Sequence, residues 1–123
     1  MDKDIVILVV EDAEIQREIV LNQLETAGFE EAIGMEDGLE ASSYLEENPA
    51  DLIICDWNMP NMNGLELLKK VRSSEASIQN VPFIVLTVDE NVVKEAMNAG
   101  ASDFIAKPTN PEELVAKIEN LFS

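Results

Sequence analysis

Four apolar runs in this chain each stop on a polar residue. Val9-Val10 gives way to Glu11-Asp12, and Leu52-Ile53-Ile54-Cys55 to Asp56. Phe83-Ile84-Val85-Leu86 gives way to Thr87, and Phe104-Ile105-Ala106 to Lys107-Pro108. Short continuous runs of this kind, separated by helical periods, predict parallel strands buried on both faces. The strands are expected over Ile5–Val10, Leu52–Asp56, Phe83–Leu86 and Asp103–Ala106. A weaker one is expected near Ala32–Met35, where Gly34 interrupts the pattern.

Between the strands the period changes to that of helices. Glu14 to about Ala27 places Ile15, Ile19, Leu24 and Ala27 on one side and closes at Gly28. Gly38 to about Glu47 has Leu39, Ser42 and Leu45 as inner positions and stops at Asn48-Pro49. Asn63 can cap a helix carrying Leu65, Leu68 and Val71, and a short helix from Asn91 to about Ala99 ends at Gly100. Asn110 caps the last helix, with Pro111 at its first position and Leu114, Val115, Ile118 and Leu121 facing in. Five strands alternating with five helices predict a single α/β domain over residues 1–123. It would be a (βα)5 doubly wound parallel sheet with right-handed crossovers and strand order 2-1-3-4-5. In such sheets ligands bind outside the carboxyl ends of the strands, where the order reverses. Glu11, Asp12 and Asp56 are expected to meet there, with Thr87 and Lys107 close by.

Composition narrows the function. With 123 residues and a hydrophobic fraction of 46%, the chain supports one core and leaves no room for a second domain. Its longest apolar run, Ile5–Val10, is far too short to cross a bilayer. The polar start Met1-Asp2-Lys3-Asp4 shows no signal-peptide pattern. A single cysteine, Cys55, cannot form an internal disulfide, which points to a reducing, cytoplasmic setting. The formal charge of −17, with no basic face, argues against nucleic acid and anionic membranes as partners. The absence of histidine excludes a histidine-based triad or zinc site.

The polar strand ends carry the chemistry. Three crowded carboxylates repel one another, and a divalent cation removes the conflict. Magnesium takes oxygen ligands and keeps open positions for phosphate, so Glu11, Asp12, Asp56 and the backbone carbonyl of Asn58 form a plausible ligand set. Asp56 can act as a carboxylate nucleophile. Lys107 and Thr87 can each donate to a phosphoryl oxygen. Each residue alone has an ordinary explanation: Glu11 and Asp12 as helix caps, Asp56 as a turn former, Lys107 as a solvated surface residue. Their shared placement at strand ends singles them out.

The chain resembles the receiver domain of two-component response regulators, most closely the CheY-type single-domain chemotaxis regulators. The resemblance rests on Glu11-Asp12, the stretch from Asp56 to Leu68 (DWNMPNMNGLELL), Thr87, and Ala99-Gly100-Ala101 through Lys107-Pro108. It implies a flavodoxin/CheY-like fold, Asp56 as phosphoacceptor, and Mg2+ bound by Asp12, Asp56 and the Asn58 carbonyl. Glu11 would act on the metal through water, and Lys107 would bind phosphate through a loop whose Lys107-Pro108 bond is cis. Thr87 and Phe104 would form the switch. The implied partner is a histidine kinase or phosphotransfer protein. Phosphorylation would alter the surface formed by the fourth helix, fifth strand and fifth helix of a monomeric signalling protein, with chemotaxis one output. Small donors would also serve, and dephosphorylation would be slow and self-catalysed, without a separate substrate.

Two positions depart from that pattern. Phe104 stands where the chemotaxis proteins usually carry Tyr, and Val88 where a smaller residue is usual, so Val88 is expected to narrow the approach to Asp56. Trp57 has the ordinary reading of a partly exposed loop aromatic, and Cys55 that of an inert strand residue. Three alternatives compete with the switch. A scaffold or pseudo-receiver is disfavoured by the intact Asp12, Asp56, Thr87 and Lys107. A phosphatase of the haloacid dehalogenase type wants an acid where Asn58 stands. A flavodoxin-like electron carrier is electrostatically opposed by Glu11-Asp12. A receiver excised from a larger regulator or hybrid kinase remains equally compatible with the chain.

Overall fold

The computed structural model describes residues 2–123. Strands β1 (Ile7–Val10), β2 (Ala32–Met35), β3 (Leu52–Asp56), β4 (Phe83–Thr87) and β5 (Asp103–Ala106) form one parallel sheet in the order β2-β1-β3-β4-β5. They alternate with helices α1 (Glu14–Thr26), α2 (Gly38–Glu47), α3 (Gly64–Arg72), α4 (Glu90–Asn98) and α5 (Pro111–Phe122). This is the predicted architecture and strand order. A 3₁₀ turn at Ser77–Asn80, which buries none of its residues, is an addition that apolar patterning does not predict.

Alternate residues of the strands feed two cores. Leu8, Val10, Ile53, Cys55, Phe83 and Val85 pack under α2, α3 and α4, through Ala41, Leu45, Leu67, Leu68, Val71 and Ala96. Ile7, Val9, Leu52, Ile54, Ile84, Leu86 and Ile105 pack under α1 and α5, through Val20, Leu24, Leu114 and Ile118. Each fully buried Leu, Ile or Phe contributes roughly 1.5–3 kcal/mol by leaving water. The central strands must therefore be apolar along their whole length.

Three expected inner positions lie outside instead. Ile15, Ile19 and Leu39 are 75%, 42% and 52% exposed. The buried stripe of α1 runs through Val20 and Leu24, so the helix is turned away from the Ile15–Ile19 face. Ile15 and Leu39 lie in the first turns of their helices, and both helices start just beyond the sheet's carboxyl edge. The ladder of β1 begins at Ile7 rather than Ile5, because β2 reaches back only to Ala32; Ile5 is buried all the same.

Local chemistry sets the helix ends. Asp37, Asp89 and Asn110 cap α2, α4 and α5 with side-chain acceptors for Glu40, Asn91 and Glu113 amides. Asn63 and Glu66 form a reciprocal capping box on α3. Gly28 and Gly100 close α1 and α4 at φ values of +100° and +109°, which side-chain-bearing residues rarely adopt. Arg72 donates to the carbonyls of Gln79, Val81 and Gly100 and so ties the end of α3 to the end of α4.

Candidate functional site

Register brings the polar strand ends together. Val10 lies opposite Cys55, so the next residues, Glu11 and Asp56, leave β1 and β3 side by side. Asp56 is opposite Leu86 and Thr87 is opposite Ala106, which places Thr87 one strand and Lys107 two strands further across. Glu11, Asp12, Asp56 and Lys107, with Gln16 and Val88, line a cleft of about 450 Å³ at this edge.

Carboxylate oxygens of Glu11, Asp12 and Asp56 lie within 4.8 Å of one another. Glu11 and Asp56 are buried and Asp12 is exposed. The Lys107 ammonium reaches between the two buried acids, 3.0 Å from Glu11 Oε1 and 2.9 Å from Asp56 Oδ1. The same Asp56 oxygen accepts from the Trp57 amide at 2.9 Å. The peptide bond between Lys107 and Pro108 is cis. Asn58 is exposed on the loop directly after Trp57.

Neither Glu11 nor Asp12 caps α1: the cap position is Ala13, and no side chain bonds there in capping geometry. Glu11 Oε2 makes only a long 3.4 Å contact with the Ala13 amide. The helix-cap reading of this acid pair therefore gives way to the cleft. Sequence patterning passed over two further residues. Arg17, one α1 turn past Ala13, donates to the Glu11 carbonyl at 2.8 Å and so steadies the loop that carries both acids. Its aliphatic arm lies over Gly34, where an added Cβ would be 3.0 Å from Arg17 Cδ. The interruption of β2 by glycine is the signal that marks this close approach. Gln16 is the other, and only its place on the cleft wall distinguishes it.

The electrostatics reflect the crowding. Burial, followed by the hydrogen bond and negative charge of Asp56, pushes the Glu11 carboxyl up to about 7 from its usual 4.5, despite Lys107. Burial pulls Lys107 down, but its bonds to Asp56 and Glu11 outweigh that, so its ammonium is held above the ordinary lysine range. The chemistry of this donor set fits Mg2+: hard oxygens, clustered, and carrying more negative charge than one ammonium offsets.

A pH dependence follows. Between about 4.5 and 7 the folded protein holds a proton on Glu11 that the unfolded chain has lost, so stability falls as pH rises through that window. Metal-free protein should therefore melt several degrees higher near pH 5 than near pH 7.5. Saturating Mg2+ or Glu11→Gln should flatten the trend. Melting curves that climb with pH, or an undiminished slope in Glu11→Gln, would contradict this origin.

The remaining residues sit as follows. Thr87 is buried, and its Oγ1 accepts from the Asp89 amide at 3.0 Å. Phe104 is 37% exposed, with the Lys117 ammonium 4.8 Å from its ring centre. Val88 is 80% exposed at the cleft wall. Trp57 is only 6% exposed, which corrects its reading as a partly exposed loop aromatic. The start of α3 covers it, and an added Cβ on Gly64 would lie 3.0 Å from its ring. Cys55 is buried, and burial raises its thiol well above the ordinary range, so it stays protonated. Among the described residues no helix is long and apolar enough to cross a membrane.

Known proteins share this fold. A family model described as the response regulator receiver domain matches residues 7–119. Chemotaxis protein CheY1 of Helicobacter pylori is 40% identical over 116 residues, covering 92% of this chain and 93% of that protein. The structure of chemotaxis response regulator CheY4 of Vibrio cholerae matches with a TM-score of 0.86 at 32% identity, covering 95% of this chain and 98% of the other. The receiver domain of a sensor histidine kinase from Pseudomonas aeruginosa matches with a TM-score of 0.86 at 27% identity over 94% of this chain and 95% of the other. That structure holds a magnesium ion in its active site cleft. The family match starts at the first residue of β1 and runs into α5, and the solved relatives share the fold over nearly the whole chain: the chain belongs to the response regulator receiver domain family.

Proposed function

We propose that residues 1–123 act as one receiver domain that accepts a phosphoryl group on Asp56 from the phosphohistidine of a partner kinase or phosphotransfer protein. The observation that carries this reading is the buried Asp56 carboxylate, set between two further acids and a lysine in an open cleft. An Asp56 oxygen attacks phosphorus in line. The O–P bond forms as the P–N bond breaks, and the departing imidazole takes its proton from solvent. The product is an acyl phosphate. Lys107 offers its ammonium to the phosphoryl oxygens instead of to Glu11. Asp12, Asp56 and the Asn58 carbonyl would hold Mg2+ directly and Glu11 through water. The ion supplies neutralisation of charge on the transferring group.

Signalling follows from small rearrangements. The Thr87 hydroxyl gives up its bond from the Asp89 amide and donates to the phosphoryl group. Phe104 turns inward from beneath Lys117. The α4-β5-α5 surface then changes, and a protein target reads it. Two pre-existing states biased by one covalent group suffice. The setting is cytoplasmic, the protein a monomer, and it acts on no separate substrate. The chemotaxis names of its relatives support chemotaxis as the pathway.

Intact-mass measurement after treatment with acetyl phosphate tests the reading. With Mg2+ the protein should gain a labile adduct of roughly 80 Da, the mass of one added phosphoryl group; with the metal chelated it should gain none. An adduct that ignores the metal, or that never forms, would sink it. Because Val88 lines the cleft and is bulkier than the residue usual there, Val88→Ala should take up the group severalfold faster from this small donor. An unchanged rate would show that Val88 does not restrict access.

A further inference from the structure

The loop from Trp57 to Asn63 carries Asn58; the site holds its start, through buried Trp57 and its bond to Asp56, and the stretch beyond Asn58 is held elsewhere. Within the loop, Met62 donates to the Pro60 carbonyl at 2.7 Å, and Gly64 closes its base by donating to the Trp57 carbonyl at 2.9 Å. Apart from the cap of α3 at Asn63, two hydrogen bonds among the described residues tie it across the fold, and both go to the start of α2. Asn61 Nδ2 donates to Asp37 Oδ2 at 2.7 Å, and the Gly38 amide donates to the Met62 carbonyl at 3.1 Å. Asp37 uses its other oxygen, Oδ1, to cap α2 at the Glu40 amide, 2.9 Å away.

The contact is built for close approach. Asn61 has a φ of 65°, a left-handed conformation that Asn and Asp tolerate better than other side chains. An added Cβ on Gly38 would lie 2.5 Å from the Met62 carbonyl oxygen, so only glycine lets the loop sit this near α2. The bonds from Glu40 and Asn61 hold the Asp37 carboxyl below its usual range, so the acceptor is ionised at neutral pH. A charged acceptor makes the stronger kind of hydrogen bond.

We infer that Asp37 and Asn61 form a latch that sets the position of the Asn58 carbonyl, and so act as positioning residues that tune Mg2+ affinity from outside the cleft. This rests on the reading of that carbonyl as a metal ligand. Neither residue touches the acids of the site. They hold the backbone segment from which one ligand would be presented, and partners that orient metal ligands affect affinity strongly.

Charge supplies a discriminating test. Asn61→Asp sets two carboxylates against each other and opens the latch while preserving the left-handed backbone. The added negative charge by itself would attract Mg2+, so weaker binding cannot come from long-range electrostatics. Calorimetric titration with Mg2+ should show affinity reduced about tenfold in Asn61→Asp, the low end of what loss of an orienting partner costs. Adding Asp37→Asn in that background restores a donor facing an acceptor, keeps a competent α2 cap, and returns the net charge to that of the parent. The double variant should recover most of the lost affinity. Asn61→Gly, which keeps the backbone and removes the donor, should also weaken binding and covers the case of a poorly folded Asn61→Asp. Unchanged or tighter binding in both single variants, or a double variant no better than Asn61→Asp, overturns the latch. A parent that binds no Mg2+ removes the functional reading, and the latch with it.

Discussion

Asp56→Asn should yield a folded protein that takes up no phosphoryl group from any donor. The substitution keeps the shape of the side chain, and the amide oxygen can still accept from the Trp57 amide, which lies 2.9 Å from Asp56 Oδ1 in the parent. What it removes is the anionic oxygen that would form the acyl phosphate. It also removes one of the two charges that Lys107 spans. Glu11 should then ionise more readily, since the Asp56 hydrogen bond and charge are among the causes that raise it. Two measurements follow on one sample. The roughly 80 Da adduct expected of one phosphoryl group should vanish, and the fall in melting temperature between about pH 5 and pH 7.5 should shrink. An adduct that persists in Asp56→Asn would place the acceptor on another residue.

Lys107→Ala should separate the two duties of that ammonium. It bridges Glu11 and Asp56, so its loss leaves two buried carboxylates facing each other. Removing one partner of a largely buried ion pair costs on the order of 1–3 kcal/mol here, allowing for the 23% exposure of the lysine. Saturating Mg2+ should return that stability, because the cation supplies the missing charge. It should not return the rate. A donor aimed at developing oxygen charge is worth roughly a hundredfold or more in rate. Labelling by acetyl phosphate at saturating Mg2+ should slow accordingly. Lys107→Arg should not restore it fully, since a broad planar guanidinium cannot replace a compact ammonium in this space. Parent-like labelling in Lys107→Ala would deny the lysine a part in the transfer.

The layout of the sheet was legible in the chain because its central strands are buried on both faces. Leu52–Asp56 and Phe83–Thr87 have no solvent side, so nothing polar interrupts them and their ends stand out. The site inherits that clarity: Glu11, Asp56 and Thr87 stand where three such runs stop, while Lys107 follows edge strand β5, which buries only Ile105 and so departs from the expected burial on both faces. Helix faces were harder. In α1, Ile15–Ile19 and Val20–Leu24 are two apolar pairs at helical spacing, and nothing local says which one meets the sheet. The burial of Trp57 leaves no local signal, because it comes from the close approach of α3 at Gly64, a contact between elements rather than a property of the loop. The Asp37–Asn61 bond spans 24 positions and joins two residues that each look like ordinary turn formers. Arg17 is hidden for a similar reason, since its acceptor is a backbone carbonyl and leaves no trace in side-chain pattern.

Both rims of the sheet are four-residue strands, β2 and β5. An open strand edge is a template on which another polypeptide can polymerise, and its danger grows with length and apolar exposure. Here each rim offers few free backbone groups. On the β5 side, Lys117 pairs with Asp103 at 3.0 Å and lies across Phe104. On the β2 side, Glu30, Glu31 and Glu36 bracket the strand. Two copies approaching rim to rim would also bring like charges together, from chains that each carry −17. The same short strands that keep the sheet small thus guard the protein against aggregation at high concentration.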